Sequence, residues 1–374
     1  MGTITRNFAN SLSNQQGVNP TFKNLMINGD MGISQWGAKT GATADVGNGQ
    51  AGVDRFNLRL NATSGYECSL TQTTDVPAGQ GFRNSLEWKT TTVNSSLGTS
   101  GIIRYGQRVE KQMLRTLNYG TASAEQTTLS FWIKSSLTGT FIAELWDKEH
   151  SKYNSQAFTV SSADTWEKKS VTFAGNTSDA FDLTSNANGM EVSIWVASGT
   201  DFSSSGSTTG GAWNADATYR AGTISNAFST TLNATIEITG YQFEIGNTAT
   251  DFEQIPFDIS LGRCQRYLER IDKSSTETII CLGAGVSSSS LFGRINFATE
   301  KRVVPSATIS DAGHIQGLTA NAGAWHTATG ASFGSGDERQ MRLTLTGLSS
   351  MTTGGCHEIR IQDSNGYIMV AAEI

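Results

Sequence analysis

Ten segments between residues 54 and 245 alternate apolar and polar side chains with a period of two, and each is bounded by Gly, Asn, Ser or Thr. A period of two sends successive side chains to opposite faces of an extended chain. Many short alternating segments with turn residues between them fold as stacked antiparallel sheets. The segments are 54–60, 66–72, 85–90, 104–110, 127–135, 140–147, 155–160, 166–174, 190–197 and 234–245. That number suffices for two packed sheets. A Ser/Gly/Thr-rich stretch, 198–230, interrupts them and carries Trp213 and Tyr219. A loop of that length inside a compact domain has a job or is mobile.

The pattern changes after residue 256. Pro256 disfavours helix at Ile255, Asp258 or Ser260 can accept bonds from the first free amides, and Leu261, Cys264, Leu268 and Ile271 recur at steps of three, four and three. The spacing predicts an amphipathic helix over 257–273, roughly four turns long, which must pack on something to persist. It could lie across the end of its own β-domain, or form a three-fold bundle with copies of itself. In the second case those four residues are the oligomer interface. From 274 to 374 the alternation returns in shorter segments: 276–282, 291–297, 307–310, 339–345, 357–362 and 367–373. Gly/Ser/Ala loops separate them, notably 283–290 and 320–336. The final segment stops without a solubilising tail, so it must pair and be buried. This region has a thin core, and burial against other copies would make up the shortfall.

At 374 residues the chain can hold two or three domains. Only 16% of residues are charged, with Gly at 40 and Pro at 4, which is the balance of ordered β material rather than a disordered linker. The net charge of −6 and the lack of clustered Lys/Arg argue against nucleic acid. No apolar run is long enough to span a bilayer and no secretion signal opens the chain, so membrane insertion is not expected and synthesis in a cytosol is. Cys68, Cys264, Cys281 and Cys356 lie far apart, which makes buried free thiols the default, although spacing alone leaves a disulfide open. Residues 1–23 are polar and aperiodic, either a frayed terminus or an arm that orders against a neighbouring protein.

Several short blocks occur in a set order: Asn24-Leu25-Met26-Ile27-Asn28-Gly29-Asp30, Gln35-Trp36, Val53-Asp54-Arg55-Phe56, Thr128-Leu129-Ser130-Phe131-Trp132-Ile133-Lys134, Gly240-Tyr241-Gln242-Phe243-Glu244-Ile245-Gly246 and Cys264-Gln265-Arg266-Tyr267. This layout, spanning about residues 24–270, resembles that of tail-fibre and other virion structural proteins of tailed bacteriophages. The resemblance implies that residues 24–256 form a jelly-roll β-sandwich similar to carbohydrate-binding modules. In the resembling proteins such a C-terminal β-domain, here 274–374, often assembles as a homotrimer; two-fold association or docking on the jelly roll are the alternatives. Similar jelly rolls often hold a structural calcium where the Asn-Gly-Asp block meets the last strand; here Asn28, Asp30, Asp251 and Glu253 would supply oxygens, where calcium asks for six to eight, and the competing reading makes these four solvated turn residues. No other cofactor is expected.

Strand parity adds a candidate site. Leu129, Phe131 and Ile133 share one face with Ser130, Trp132 and Lys134 on the other; Phe141, Ala143 and Leu145 oppose Ile142, Glu144 and Trp146; Met190, Val192, Ile194 and Val196 oppose Glu191, Ser193 and Trp195. Indoles beside hydrogen-bonding groups suit a sugar ring, whose C–H face is apolar and whose hydroxyls need partners. Trp132, Trp146 and Trp195 would be platforms, with Glu144, Glu191 and Lys134 as hydroxyl partners. The competing reading covers these indoles with the long loop, the helix or another protomer. Catalysis has little footing. The histidines are scattered, and only Glu144, Asp147 and Glu149 approach a glycosidase pair.

The expected protein is therefore a phage virion structural protein and not an enzyme: a tail-fibre or appendage subunit, made in the host cytoplasm, that contacts other virion proteins through its N-terminal arm and host-surface polysaccharide through its jelly roll. The alternatives are a capsid decoration, collar or adaptor protein that never touches the host, a polysaccharide depolymerase, and a cellular carbohydrate-binding module.

Overall fold

The computed structural model describes residues 22–42, 50–61, 65–273, 278–319 and 323–373. The expected N-terminal arm lies outside the described residues except for Phe22 and Lys23. The chain divides into two compact units, Met1–Ile255 and Pro256–Ile374.

In the first unit the described strands are β1 (Lys39–Ala42), β2 (Gln50–Ala51), β3 (Val53–Asn61), β4 (Glu67–Thr73), β5 (Ser85–Thr92), β6 (Ile102–Glu110), β7 (Thr127–Ser135), β8 (Gly139–Asp147), β9 (Lys152–Val160), β10 (Glu167–Phe173), β11 (Asn188–Ser198) and β12 (Thr235–Ile245). They form two six-stranded antiparallel sheets, ordered β1-β4-β5-β12-β7-β10 and β2-β3-β6-β11-β8-β9. Successive strands pass back and forth between the sheets, which makes this a jelly-roll β-sandwich. Period-two alternation puts Leu129, Phe131 and Ile133 of β7 in the same core as Phe141, Ala143 and Leu145 of β8 and Met190, Val192, Ile194 and Val196 of β11.

The blocks that carry the resemblance are architectural. The Asn24 side chain takes the place of a strand partner: its Oδ1 accepts from Phe243 N at 3.0 Å and its Nδ2 donates to Tyr241 O at 3.1 Å. Gln107 clasps the Ile27 backbone with two bonds of 2.8 Å. Gly29 is required, since a Cβ there would lie 2.1 Å from the Tyr241 carbonyl oxygen. Asp54 accepts from the backbone and side-chain amides of Gln35 at 2.7 and 2.6 Å.

In the second unit the described strands are β13 (Leu268–Asp272), β14 (Thr278–Ser287), β15 (Ser290–Asn296), β16 (Ser306–Ile309), β17 (Ile315–Leu318), β18 (Trp325–Thr327), β19 (Gly330–Gly336), β20 (Gln340–Thr346), β21 (Cys356–Ile361) and β22 (Tyr367–Ala371). A seven-stranded sheet, β18-β17-β21-β14-β15-β20-β19, and a three-stranded one, β13-β22-β16, enclose a core of Leu291, Ile295, Ile315, Leu343, Leu345, Ile359, Ile361, Ile368 and Val370. The terminal strand β22 sits between β13 and β16, so it is paired on both edges.

The expected helix is half the predicted length. It runs Phe257–Gln265 and opens the second unit. Leu268 and Ile271, read as its last two stripe residues, lie on β13 opposite Ala371 and Ile368. The 3-4-3 spacing also fits a short helix followed by a strand, and pairing with β22 decides between them, because tertiary contacts outweigh weak helix propensity in a marginal segment. Cys264 and Leu268 are fully buried, and Ile271 packs on the second core. Two of the four residues assigned to an oligomer interface, Cys264 and Leu268, are thus interior; Leu261 and Ile271 are half-buried. Below them, Glu269 and Lys301 form a buried pair at 2.6 Å, with the Lys301 ammonium also donating to the Gln265 carbonyl at 2.6 Å. All four cysteines are free thiols: Cys68 and Cys264 are buried as expected, Cys281 is half-buried and Cys356 is exposed.

Candidate functional site

The six proposed glycan contacts do not share a face. Trp132 and Lys134 lie on β7, in the sheet headed by β1, whereas Glu144, Trp146, Glu191 and Trp195 lie on β8 and β11, in the other. Parity tells inside from outside but not one sheet from its neighbour. On the first sheet Lys134 bonds Asp75 and, at 2.9 Å, Glu237, while Asp75 also accepts from Trp166 Nε1 at 3.0 Å. This network holds the Asp75 carboxyl below the usual carboxylate range, chiefly through Lys134.

On the second sheet, strand register brings distant residues together. Arg59 of β3 lies opposite Arg104 of β6, which lies opposite Trp195 of β11; Asn57 lies opposite Gly106, then Ser193, then Glu144, then Ser155; Arg108 lies opposite Glu191, then Trp146, then Tyr153. The loop between β11 and β12 covers part of this outer face. Its Asn214 bridges Tyr153, and its Thr209 hydroxyl accepts from the Ser155 amide at 2.7 Å. Its Phe202, Ala221 and Ile224 close a satellite apolar cluster over Ile102, Ile142 and Trp195. Arg220 reaches down from the loop and grips Glu144 with two bonds, 2.6 and 2.8 Å.

Trp195 is therefore no platform. It is fully buried, and its Nε1 donates to Glu144 at 3.0 Å. Trp146 is half-buried, with the Lys148 ammonium 3.2 Å from its ring centroid and the Arg220 and Arg104 guanidiniums at 4.6 and 5.0 Å. Cations hold the ring faces that a sugar would need. The loop-covered reading is the one that fits Trp195.

Beyond the loop, the same face carries a shallow depression with about 20 Å³ of room, lined by Asn57, Leu58, Arg59, Arg104, Gly106, Gln107, Arg108, Glu191 and Ser193. Gly106 is its floor. A Cβ there would lie 2.2 Å from the Val192 carbonyl oxygen, so β6 and β11 approach closely just where no side chain rises. Glu191 is pulled two ways. Burial would raise its carboxyl, but Arg104, Arg108 and Lys148 outweigh burial and hold it at about 2. Arg108 Nε donates to it at 2.8 Å, and Arg104 donates to it and, at 3.0 Å, to Ser193. Lys148 is pushed down to about 8 by burial and by the positive charges of Arg104, Arg108 and Arg59, against the pull of Glu191. Sequence reasoning found Glu191 here and missed the arginines. It looked for Lys/Arg clustered along the chain, whereas this cluster is made by strand register.

Three of the four residues read as calcium ligands are otherwise engaged, and the fourth, Asp251, is exposed. Asn28 bonds the backbone of Ile33 and Asp54, Glu253 accepts the amides of Lys23 and Asn24, and Asp30 accepts the Gly32 amide. Among the described residues no three His, Cys, Asp or Glu side chains gather as a metal site. Asp147, a candidate glycosidase carboxylate, instead holds the β8–β9 turn: it accepts from the amides of Glu149 and His150 and faces His150 Nδ1 at 2.9 Å.

No protein-family description and no curated protein matches the chain. Solved structures that resemble it include the enzymatically active domain of tailspike protein 4 of bacteriophage CBA120 (13% identity, TM-score 0.32), where the match covers 60% of this chain and 22% of that one. A family 4 carbohydrate-binding module matches at 12% identity and a TM-score of 0.29, over 59% of this chain and 98% of the module. A family 61 module, solved with β-1,4-galactotriose, matches at 9% and 0.26, over 61% of this chain and all of the module. The chain thus spans about a fifth of the tailspike structure. At these scores the likenesses carry no functional argument.

Proposed function

We propose that this chain is a structural subunit of a tailed-phage virion, a tail-fibre or appendage protein that recognises host-surface glycan without chemistry. The observation that carries the recognition is the open half of the β3-β6-β11 outer face. A sandwich that covers one half of that face with a dedicated loop and leaves a polar, cation-lined depression in the other half has a surface suited to hydroxyl-rich ligands. The ordered blocks of the sequence support the virion assignment. A non-catalytic role is supported by the state of the carboxylates, since Glu144 and Glu191 are both committed to arginines.

In this reading the N-terminal arm seats on other virion proteins and the second unit joins copies of the chain into a homotrimer. Leu282, Val286 and Phe292, exposed on the outer face of the β14-β15 ribbon, support assembly there. Purified protein should block adsorption of phage to host cells in a dose-dependent way, and Leu282→Lys should lower the mass measured by light scattering from three chains towards one. Binding confined to capsid or tail components would replace the fibre with a decoration or adaptor role, and release of reducing ends from host polysaccharide would replace it with a depolymerase.

A further inference from the structure

Resting on the glycan-binding reading, we propose that a cavity of about 290 Å³ at the end of the jelly roll where β5 and β11 finish is a second recognition site, which takes one uncharged sugar residue as a chain end or side branch.

The chain builds this cavity from three separate stretches. One wall is the connection from β5 to β6, with Ser95, Ser96 and Leu97; another is the end of β11 and the loop after it, with Ser198 and Thr200; the third is the short helical turn Ala227–Thr230 and the Asn226 before it. Backbone bonds stitch the walls together: Asp201 N donates to the Thr99 carbonyl at 2.9 Å, Gly199 N to Gly101 O at 2.8 Å, and Asn94 N to Ser229 O at 2.9 Å. Gly199 permits the close approach, since a Cβ there would lie 2.2 Å from the Gly98 and Thr99 carbonyl oxygens. The Asn226 side chain stands in for a strand partner where β11 ends, accepting from Ser198 N at 2.9 Å and donating to Ser198 O at 3.1 Å. The site is therefore formed before a ligand arrives, which removes much of the ordering cost of binding.

Its lining sets the ligand class. Of the described residues that line the cavity, eight carry hydroxyls, two carry side-chain amides and none is charged. An ion would leave water for walls that offer no counter-charge, whereas a polyol exchanges the hydroxyls of water for those of the protein. The hydroxyls of Thr99, Ser203, Ser229 and Thr230 already donate to neighbouring oxygens. Those of Ser95, Ser96, Ser198 and Thr200 have no protein partner among the described residues. Ser198 is buried as well, and a buried hydroxyl without a partner is a state that folded proteins mostly avoid. Leu97, packed against the main core, adds an apolar contact for the C–H groups of a ring. At about 290 Å³ the cavity sits at the lower bound for small-molecule sites, so it fits one pyranose and not a length of chain. None of the described lining residues is aromatic, so affinity rests on hydrogen bonds and should be about millimolar for a monosaccharide.

The test is saturation-transfer NMR on the full chain with the methyl glycosides of glucose, galactose, mannose and N-acetylglucosamine, and with glucuronate and glycerol, each at ~20 mM. The expected result is a saturable signal from at least one neutral glycoside, a weaker one from glucuronate, and loss of the signal in Thr200→Lys, which sets an ammonium at the exposed rim. Ser198→Ala should weaken binding about threefold to tenfold, the loss of one neutral hydrogen bond. Silence from all four glycosides, a stronger signal from glucuronate, equal transfer to glycerol, or binding that both variants leave unchanged would each overturn the site. Phage adsorption separates this site from the broader reading. If parent and Thr200→Lys block adsorption equally and no glycoside binds, the cavity site falls and glycan recognition stands. If glycosides bind in the parent but not in Thr200→Lys, and the parent blocks no adsorption, the site stands and host recognition falls. Should Thr200→Lys not fold, Ser95→Lys on the β5–β6 wall replaces it, and the neutral-over-charged preference of the unaltered chain still decides.

Discussion

Replacing Arg220 with Met tests how the long loop is held on the sandwich. Arg220 is buried and gives Glu144 two bonds, of 2.6 and 2.8 Å. Glu144, itself without exposure, receives two more, from Trp195 Nε1 at 3.0 Å and from Arg104 at 3.4 Å. Met fills much of the same space among the rings of Trp146, Tyr153, Trp195 and Phe202, so the change removes charge and hydrogen bonds more than volume. Breaking a buried ion pair costs about 3–5 kcal/mol, and because Glu144 keeps Trp195 and the more distant Arg104, Arg220→Met should fall near about 3. Glu144→Gln leaves Arg220 and Arg104 facing a neutral amide, so it should lie near the upper bound of about 5 kcal/mol.

The double variant carries the inference. Once Arg220 is gone, loss of the Glu144 charge removes a buried anion as well as a partner, so the pair together should cost about 2–3 kcal/mol less than the sum of the single changes. Urea unfolding followed by tryptophan emission reads the first unit, which holds seven of the eight tryptophans. A cost of about 3 kcal/mol corresponds to a fall of about 6–12 °C in Tm for a unit of this size. Release of the loop would also raise acrylamide quenching of Trp195. A cost under about 1 kcal/mol for Arg220→Met, or strict additivity in the double variant, would show that the apolar cluster of Phe202, Ala221 and Ile224 holds the loop unaided.

Two further outcomes follow from the same coordinates. Lys301→Met should destabilise the second unit by about 3 kcal/mol, because Glu269 would stay buried without its ammonium; hydrogen exchange over residues 268–272 should quicken, and unchanged protection would mean that β13 is held by backbone pairing alone. Lys148 should make stability rise with pH between about 8 and 10.5: its folded value is depressed, so in that window the unfolded chain binds the extra proton and the native state gains as the proton leaves. Urea midpoints at several pH values should rise in the parent relative to Lys148→Met across that window, and parallel curves would refute the depressed value.

The fold was largely legible because period-two alternation is a local signal. Thr127–Ser135 was read to the residue, and the other nine long strands of the jelly roll were read to within a few. The segments that escaped lack that signal. β19, Gly-Ala-Ser-Phe-Gly-Ser-Gly, reads as a loop by composition and is a strand because its backbone pairs with β20. β14 continues through Gly283 and Gly285 past its expected end, and the composition that suggested a loop is a packing need, since a Cβ on Gly283 would lie 2.8 Å from Ile359 Cδ1 and one on Gly285 would lie 2.0 Å from the Thr352 carbonyl oxygen. β13 was hidden behind a helical spacing that its partner strand overrules.

The site was less legible for a reason that applies to sheets in general. A helix brings i and i+4 together, so a charged patch on it can be found by reading along the chain. A sheet brings together residues whose separation is set by topology. Arg59, Arg104, Arg108, Lys148 and Arg220 look dispersed in the sequence and meet on one face only when β3, β6, β11 and β8 are laid side by side. The same step separates the indoles: Trp132 leaves for the other sheet, and Trp195 passes under the loop to be bonded by Glu144. What parity identified as an aromatic face is, after register, a cationic one in which the Arg104 and Arg220 guanidiniums lie over the Trp146 ring.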